Sequence, residues 1–285
     1  MDEVDLFIVH WNQPAACCAT VRAFEAQRVQ LRITIIDNNS EAELFDQLAS
    51  DLPASVRLVR LRENKGWGGA INIVLRQWLS DTTVPYCLIS AHDAIPGVGC
   101  LELLLRAADT DPRIGIASPQ YPEPIITKLS PLHGVYTQRV TPGCRGDVRE
   151  MDVPHGTLML LRRECLAEVG CFDERYFAYG DEHDLGARAV RKGWKVVIVW
   201  GAMVTNPATS VENKWRSYLF ARNSLLLVHD YFGRFAAALR ALLILVNTLR
   251  LSLSPQGNDF AFCAQARRKA VLDYFRGRTG RPLLP

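Results

Sequence analysis

The chain lacks an uninterrupted apolar run of the ~20 residues that a membrane-crossing helix requires. Its nearest approach, residues 236–253, is broken by Arg240, Asn247 and Arg250, so no membrane span is expected from it. The eight cysteines show no CxxC and no metal-ligand spacing, which excludes a zinc framework. With no secretory leader pattern at the N-terminus, they are read as reduced thiols of a cytosolic protein, most of them in the core. No internal repeat and no low-complexity tract occurs, and neither does a P-loop or GxGxxG. Net charge is also small, at +3. It is unevenly spread, because nine Lys/Arg from Arg234 onward stand against only Asp259 and Asp273. No recognition motif accompanies those basic residues, which argues against nucleic acid as a partner.

What is present is an alternation of strand-like and helix-like stretches. Residues 4–10 form an apolar run closed by Trp11-Asn12-Gln13-Pro14. A helical pattern over 15–28 has proline near its first turn. A second strand, 31–36, is closed by Asp37-Asn38-Asn39-Ser40, and helix 41–49 and strand 55–61 follow. Glu63-Asn64-Lys65-Gly66-Trp67-Gly68-Gly69 then runs through Asn72 into a helix ending near residue 79. Strand 86–90 is closed by Ala91-His92-Asp93, before helix 99–108 and strand 114–117. The pattern predicts an α/β fold with a mostly parallel sheet flanked by helices. Ligands sit at the carboxyl ends of such strands. Asn12, Asp37, Asn64 and Asp93 are therefore expected to face one crevice. The proline-rich stretch 118–149 predicts an irregular or hairpin cover over it. Strands 157–161 and 195–200, a short helix over 162–169, and C-terminal helices over 214–231, 234–252 and 259–276 complete the reading.

Residues 169–194 hold a Gly-Cys-Phe-Asp-Glu turn, an aromatic run and then Asp181-Glu182-His183-Asp184 at a helix start. Two readings stand. Asp181 suits an N-cap with Asp184 three residues on, and Asp184 can pair with Arg188 at i,i+4. Alternatively, one carboxylate takes a proton from an incoming hydroxyl. Asp37-Asn38-Asn39-Ser40 is likewise either an Asx turn or an acceptor for a nucleobase N–H. The glycines after Asn64 either admit phosphate to a helix N-terminus or allow tight packing. His92 and Asp93 offer two metal ligands, although hard cations prefer oxygen. His10 and His155 fit neutral, hydrogen-bonded residues better than ligands, and His183 sits in no zinc spacing.

Taken in order, seven short motifs resemble the family 2 inverting glycosyltransferases of the GT-A fold, nearest to a bacterial rhamnosyltransferase-like branch. They are Val9-His10-Trp11-Asn12; Ile36-Asp37-Asn38-Asn39-Ser40; Asn64-Lys65-Gly66 with Gly69-Ala70-Ile71-Asn72; Asp93; Gly156-Thr157-Leu158-Met159-Leu160; Gly170-Cys171-Phe172-Asp173-Glu174; and Asp181-Glu182-His183-Asp184-Leu185 with Arg188. The resemblance spans about residues 4–223. It implies a catalytic domain over 1–212 and a C-terminal helical region over 213–285 for acceptor, membrane or dimer contacts. It implies a UDP- or dTDP-sugar donor, such as dTDP-L-rhamnose or another deoxysugar. The acceptor would be a small molecule, glycan or lipid-linked sugar, in cell-surface glycan or natural-product biosynthesis. Residues implied along the donor are His10, Asn12, Asp37, Asn39, Asn64, Gly66, Gly69, Asn72, His92 and Asp93. Asp93 would also hold Mg²⁺ or Mn²⁺. Glu182 is the first choice as base and Asp181 the second. Tyr179, Asp184, Arg188 and Arg222 would support them, with Arg222 and Lys65 as candidate cations for the leaving diphosphate.

Three departures from the pattern stand out. Ala91 occupies the first position of the DxD-type element. The acidic pair reads Asp-Glu where Glu-Asp is usual. A histidine common in the family is replaced near Thr205-Asn206, with Ser210 kept. These keep a catalytically silent nucleotide-sugar-binding or scaffolding protein as one rival. Another is a sugar nucleotidyltransferase, but that would carry a Gly-rich basic loop where Trp11-Asn12-Gln13-Pro14 stands. The C-terminal helices are expected to pack on the catalytic domain or a second copy, or to lie on the inner face of an anionic membrane.

Overall fold

The computed structural model describes residues 3–207, 213–253 and 262–282. Strands β1 (Val4–His10), β2 (Leu31–Asp37), β3 (Arg57–Arg60) and β4 (Tyr86–Ala91) pair in parallel in the order β3-β2-β1-β4. Helices α1 (Pro14–Glu25), α2 (Ala42–Asp51) and α3 (Gly66–Asp81) connect them. Every residue of β1 is buried, as expected of a strand covered on both faces. Alternate β1 side chains enter different cores. Leu6 and Ile8 pack with Phe24 and Leu104 on one face, while Phe7 and Val9 pack with Ile71, Trp78 and Leu185 on the other. Each such burial contributes roughly 1.5–3 kcal/mol before entropy is counted.

Beyond β4 the sheet is mixed. β10 (Leu158–Arg162) runs antiparallel between β4 and β6 (Ile114–Gln120), and β11 (Lys195–Thr205) is parallel to β6. Short strands β5 (Ile95–Pro96) and β9 (Val148–Met151) add antiparallel to β11. The sheet is thus parallel where the strand–helix alternation is strictest. Register aligns the carboxyl ends: His10 lies opposite Asp37, and Val9 opposite Ala91. Because β10 is antiparallel to both β4 and β6, the end of β6 and the start of β10 share that rim.

Between β6 and β9, β7 (Ile125–Ser130) and β8 (Gly134–Arg139) form the expected hairpin. Helix α4 (Cys100–Thr110) precedes β6, and α5 (Arg163–Val169) and α6 (Asp181–Arg191) follow β10. Helix α7 (Asn213–Ser252) is broken at Gly233, where φ is 87°, into 213–232 and 234–252. Its halves and α8 (Ala264–Phe275) share a core of Tyr218, Leu225, Ile244 and Val271. That core rests on Phe177, Ala178 and Tyr179, so the C-terminal helices pack on the aromatic turn that precedes α6. By length and composition Lys214–Ser252 is apolar enough to cross a membrane, which the interrupted run 236–253 does not suggest. Its second half leaves Phe235, Leu242, Val246 and Leu249 exposed.

Candidate active site

Asp37 and His10 end adjacent strands and are both fully buried. Gln13 N–H donates to His10 Nε2 at 3.1 Å, which leaves the hydrogen on Nδ1, 2.8 Å from Asp37 Oδ1. Ser40 donates to the same carboxylate through Oγ and its backbone N–H. Burial alone would raise the Asp37 pKa, but the His10 and Ser40 bonds outweigh it and hold the carboxyl below its ordinary value. Here the Asx-type reading holds: His10 and Asp37 organise the strand-end loop from behind. At the same strand ends Trp11 and Asn39 are exposed and Asn12 is half-buried. Asn12 and Asn39 adopt positive φ, which asparagine tolerates better than most residues. Asn38 is the connection that sequence reasoning missed. Its Nδ2 donates to Asn64 Oδ1 and Gly66 O, and its Oδ1 accepts Lys65 N–H.

The glycine-rich segment does not open a helix N-terminus to phosphate. The N–H groups of Gly66, Trp67 and Gly68 go to Asn64 Oδ1, Phe177 O and Asp181 Oδ2. The glycines exist for close approach. A Cβ on Gly66, at φ +77°, would stand 2.0 Å from Phe177 O. A Cβ on Gly69 would meet Lys65 Cβ at 3.2 Å and lies close to Glu174. Asn72 is buried, with its amide bonded both ways to the Phe172 backbone and to Glu174. Gly66, Gly69 and Asn72 therefore hold the glycine-rich turn against the 170–181 stretch. Lys65 stays at the surface, paired with Glu63 at 2.8 Å.

Asp181 and Glu182 open α6 but do not cap it, since no side-chain cap bond forms there. Their environments push them apart. Burial and the neighbouring Glu182 charge raise Asp181 well above its ordinary value. Burial also opposes charge on Glu182. His183, the hydrogen bond with Asp181 and the Gly180 N–H outweigh it and hold Glu182 below its ordinary value. Glu182 Oε2 accepts Gly180 N–H at 2.8 Å, and Oε1 lies 3.6 Å from His183 Nε2. A pair of carboxyls driven apart in this way is the usual signature of divided acid and base roles.

Asp93 is buried just past β4. Burial raises the hydroxyl pKa values of Tyr121 and Tyr179, and the charges of Glu182 and Asp93 raise both further. Both tyrosines thus lie within reach of the charges of Glu182 and Asp93. His155 stacks on Tyr121 at 4.3 Å. Burial lowers the pKa of both His92 and His155 to about 4, so both are neutral. His92 donates from Nδ1 to Val9 O and meets His10 ring to ring at 5.6 Å. Its buried Nε2 has no hydrogen-bond partner. Among the described residues no trio of His, Cys, Asp or Glu could hold a metal. A Mg²⁺-type ion here would take one protein carboxylate, Asp93, and its remaining ligands from phosphate oxygens and water.

Arg222 donates to none of these groups. It is buried, and its N–H groups donate to Gly280 O, Tyr176 O, Arg175 O and Asn223 Oδ1. Asn223 Nδ2 in turn donates to Tyr176 O, Ala178 O and Tyr179 O. Together they hold the aromatic turn, in which Phe177 and Tyr179 take positive φ. Asp184 pairs with Arg188 at 2.8 Å and accepts from Tyr231, while Arg188 also donates to the carbonyls of Val169 and Cys171. Both brace the helix start. Ser210 lies outside the described residues.

Comparison with known proteins agrees with this architecture. The family described as glycosyltransferase like family 2 matches residues 2–223. The N-acetylglucosaminyl-diphospho-decaprenol L-rhamnosyltransferase of Mycobacterium tuberculosis is 27% identical over 243 residues, 72% of this chain and 78% of that protein. A low-salt glycan biosynthesis hexosyltransferase of Haloferax volcanii is 24% identical over 214 residues, 70% of this chain and 68% of the relative. Among solved structures, GalNAc-T7 with UDP, GalNAc and Mn²⁺ superposes with a TM-score of 0.66 at 13% identity. It covers 97% of this chain, which spans 57% of that one. The mannosyltransferase PcManGT from Pyrobaculum calidifontis, with GDP-Man and Mn²⁺, gives 0.60 at 15% identity, covering 96% and 87%. The chain is a glycosyltransferase of GT-A fold and belongs to the glycosyltransferase-like family 2.

Proposed function

We propose that this enzyme transfers a sugar from a nucleoside-diphosphate donor to an acceptor hydroxyl by single displacement, with inversion at the anomeric carbon. The observation that carries the reading is the geometry of the acidic pair at the start of α6, where Glu182 Oε2 accepts Gly180 N–H at 2.8 Å and the adjacent Asp181 is tied to Gly68 N–H. Glu182 takes the acceptor proton. The freed oxygen attacks the anomeric carbon from the face opposite the leaving group, whose C–O bond breaks to release the nucleoside diphosphate. Asp181 keeps Glu182 in place and takes no proton from the acceptor. The donor lies along the strand-end rim, with Asn12, Asn39 and Asn64 toward the nucleoside and Asp93 toward the diphosphate. Asp93 would hold a Mg²⁺ or Mn²⁺ ion, which neutralises developing charge on a leaving diphosphate when bound.

The rhamnosyltransferase relative favours a dTDP- or UDP-deoxysugar such as dTDP-L-rhamnose. Residues 1–212 are read as the catalytic domain and 213–285 as the acceptor side. We place the enzyme in the cytoplasm, with the apolar face of 234–252 against the inner face of a membrane, as exposed Phe235, Leu242 and Leu249 suggest. A thermal-shift screen of nucleotide sugars with and without Mn²⁺ tests the donor reading. A UDP- or dTDP-sugar should raise the melting temperature, and its slow hydrolysis should release the sugar with the opposite anomeric configuration. Retained configuration would overturn single displacement. The absence of any shift or turnover across the panel would overturn the donor assignment.

A further inference from the structure

The β7–β8 hairpin, the start of α6 and both halves of α7 enclose a cavity of about 290 Å³. Gly180 and His183, which flank Glu182, form part of its wall, so it opens beside the carboxylate. Tyr179 and Phe220 give it an aromatic side, and His133, Ser224 and Arg240 a polar one. Arg240 is the unusual member. Its Nε donates to Ser224 Oγ and its Nη1 to Leu132 O, both at 3.2 Å. Among the described residues no carboxylate pairs with it. A guanidinium has five N–H donors, so most of this fork has no protein acceptor. Burial, and then the charge of Arg267, lower its pKa to about 10, which still leaves it cationic at neutral pH. A half-buried cation beside a second cation, with no carboxylate paired to it among the described residues, is unfavourable unless an anion arrives.

We propose that this cavity seats the phosphate or diphosphate group of the acceptor, with Arg240 as its principal ligand. The proposal rests on the reading of Glu182 as base, since it explains how an acceptor hydroxyl is held within reach of that carboxylate. A planar fork with unused donors matches phosphate oxygens bidentately. The volume suits a phosphoryl group with part of a sugar. Helix 234–252, which carries Arg240 inward, exposes Leu239, Leu242 and Val246 outward, so an apolar tail on the phosphate would find a surface to follow. A lipid-linked phosphate and a soluble sugar phosphate share the chemistry recognised here.

The test is calorimetric titration of the full chain with farnesyl diphosphate and with N-acetylglucosamine 1-phosphate, each in the presence of excess UDP or dTDP to occupy the donor rim. The wild type should bind at least one probe. Arg240→Gln should weaken that binding at least about tenfold, the loss expected for a charge-assisted hydrogen bond. Val135→Trp, which fills the cavity from the hairpin and leaves Arg240 intact, should abolish it. Both variants should melt cooperatively and bind nucleotide as the wild type does. Binding of farnesyl diphosphate alone identifies a lipid-linked source, and binding of the sugar phosphate alone a soluble one. Affinity unchanged in both variants, or no binding of either probe to the wild type, overturns the proposal. Nucleotide binding is read separately, so its failure would count against the donor assignment and leave the Arg240 result decisive here.

Discussion

The backbone N–H of Gly68 donates to Asp181 Oδ2 at 2.8 Å, joining residues 113 apart in sequence. This bond couples the glycine-rich turn to the acid pair. It also accounts for the glycine, because a Cβ there would lie 2.7 Å from the same oxygen and 2.8 Å from Phe172 Cβ.

Gly68→Ala should therefore destabilise the protein by about 1–3 kcal/mol, the usual cost of forcing atoms into a filled site. A thermal melt should show a lowered midpoint, and transfer should weaken as Asp181 is displaced. An unchanged melt would mean that this contact is looser than described.

Asp181 gives a pH prediction with a defined sign. Burial and Glu182 raise its folded-state value well above the ordinary 3.8. A raised acid stabilises the fold fully below its unfolded value, and that contribution is lost as pH climbs through the folded value. Asp181→Asn removes the penalty at high pH while keeping an oxygen for Gly68. The stability of Asp181→Asn relative to wild type should thus rise from about pH 4 upward and then level off. Urea unfolding across that range measures it, and a pH-independent difference would contradict the raised value of Asp181.

The sequence was legible where a single local cause sufficed. Buried runs marked β1, β2 and β4, and the i,i+4 spacing gave Asp184–Arg188. It was not legible where one pattern serves two ends. Gly66, Gly68 and Gly69 would look the same whether a phosphate or Phe177 and Asp181 approached them, and only the distant acceptors decide. Arg222 offered a cation for phosphate, yet its four acceptors come from residues 175, 176, 223 and 280. Strands β5 and β9 exist through pairing with β11, and Tyr121 and His155 carry no motif at all.

Arg222 yields a prediction that separates bracing from binding. Arg222→Ala leaves buried carbonyls without donors and should cost about 2–4 kcal/mol. Arg222→Lys should recover only part, because an ammonium lacks the planar fork. Urea unfolding measures the loss, and the donor KM of the folded fraction should not move. A selective rise in donor KM with stability intact would restore Arg222 to the diphosphate.

The most direct measurement is the single-turnover rate of Glu182→Gln at saturating donor, set beside donor affinity in the same protein. The account predicts a fall of at least about a hundredfold in rate, as loss of a general base produces, with donor affinity near that of the wild type. A variant that still turns over at the wild-type rate would place the base elsewhere.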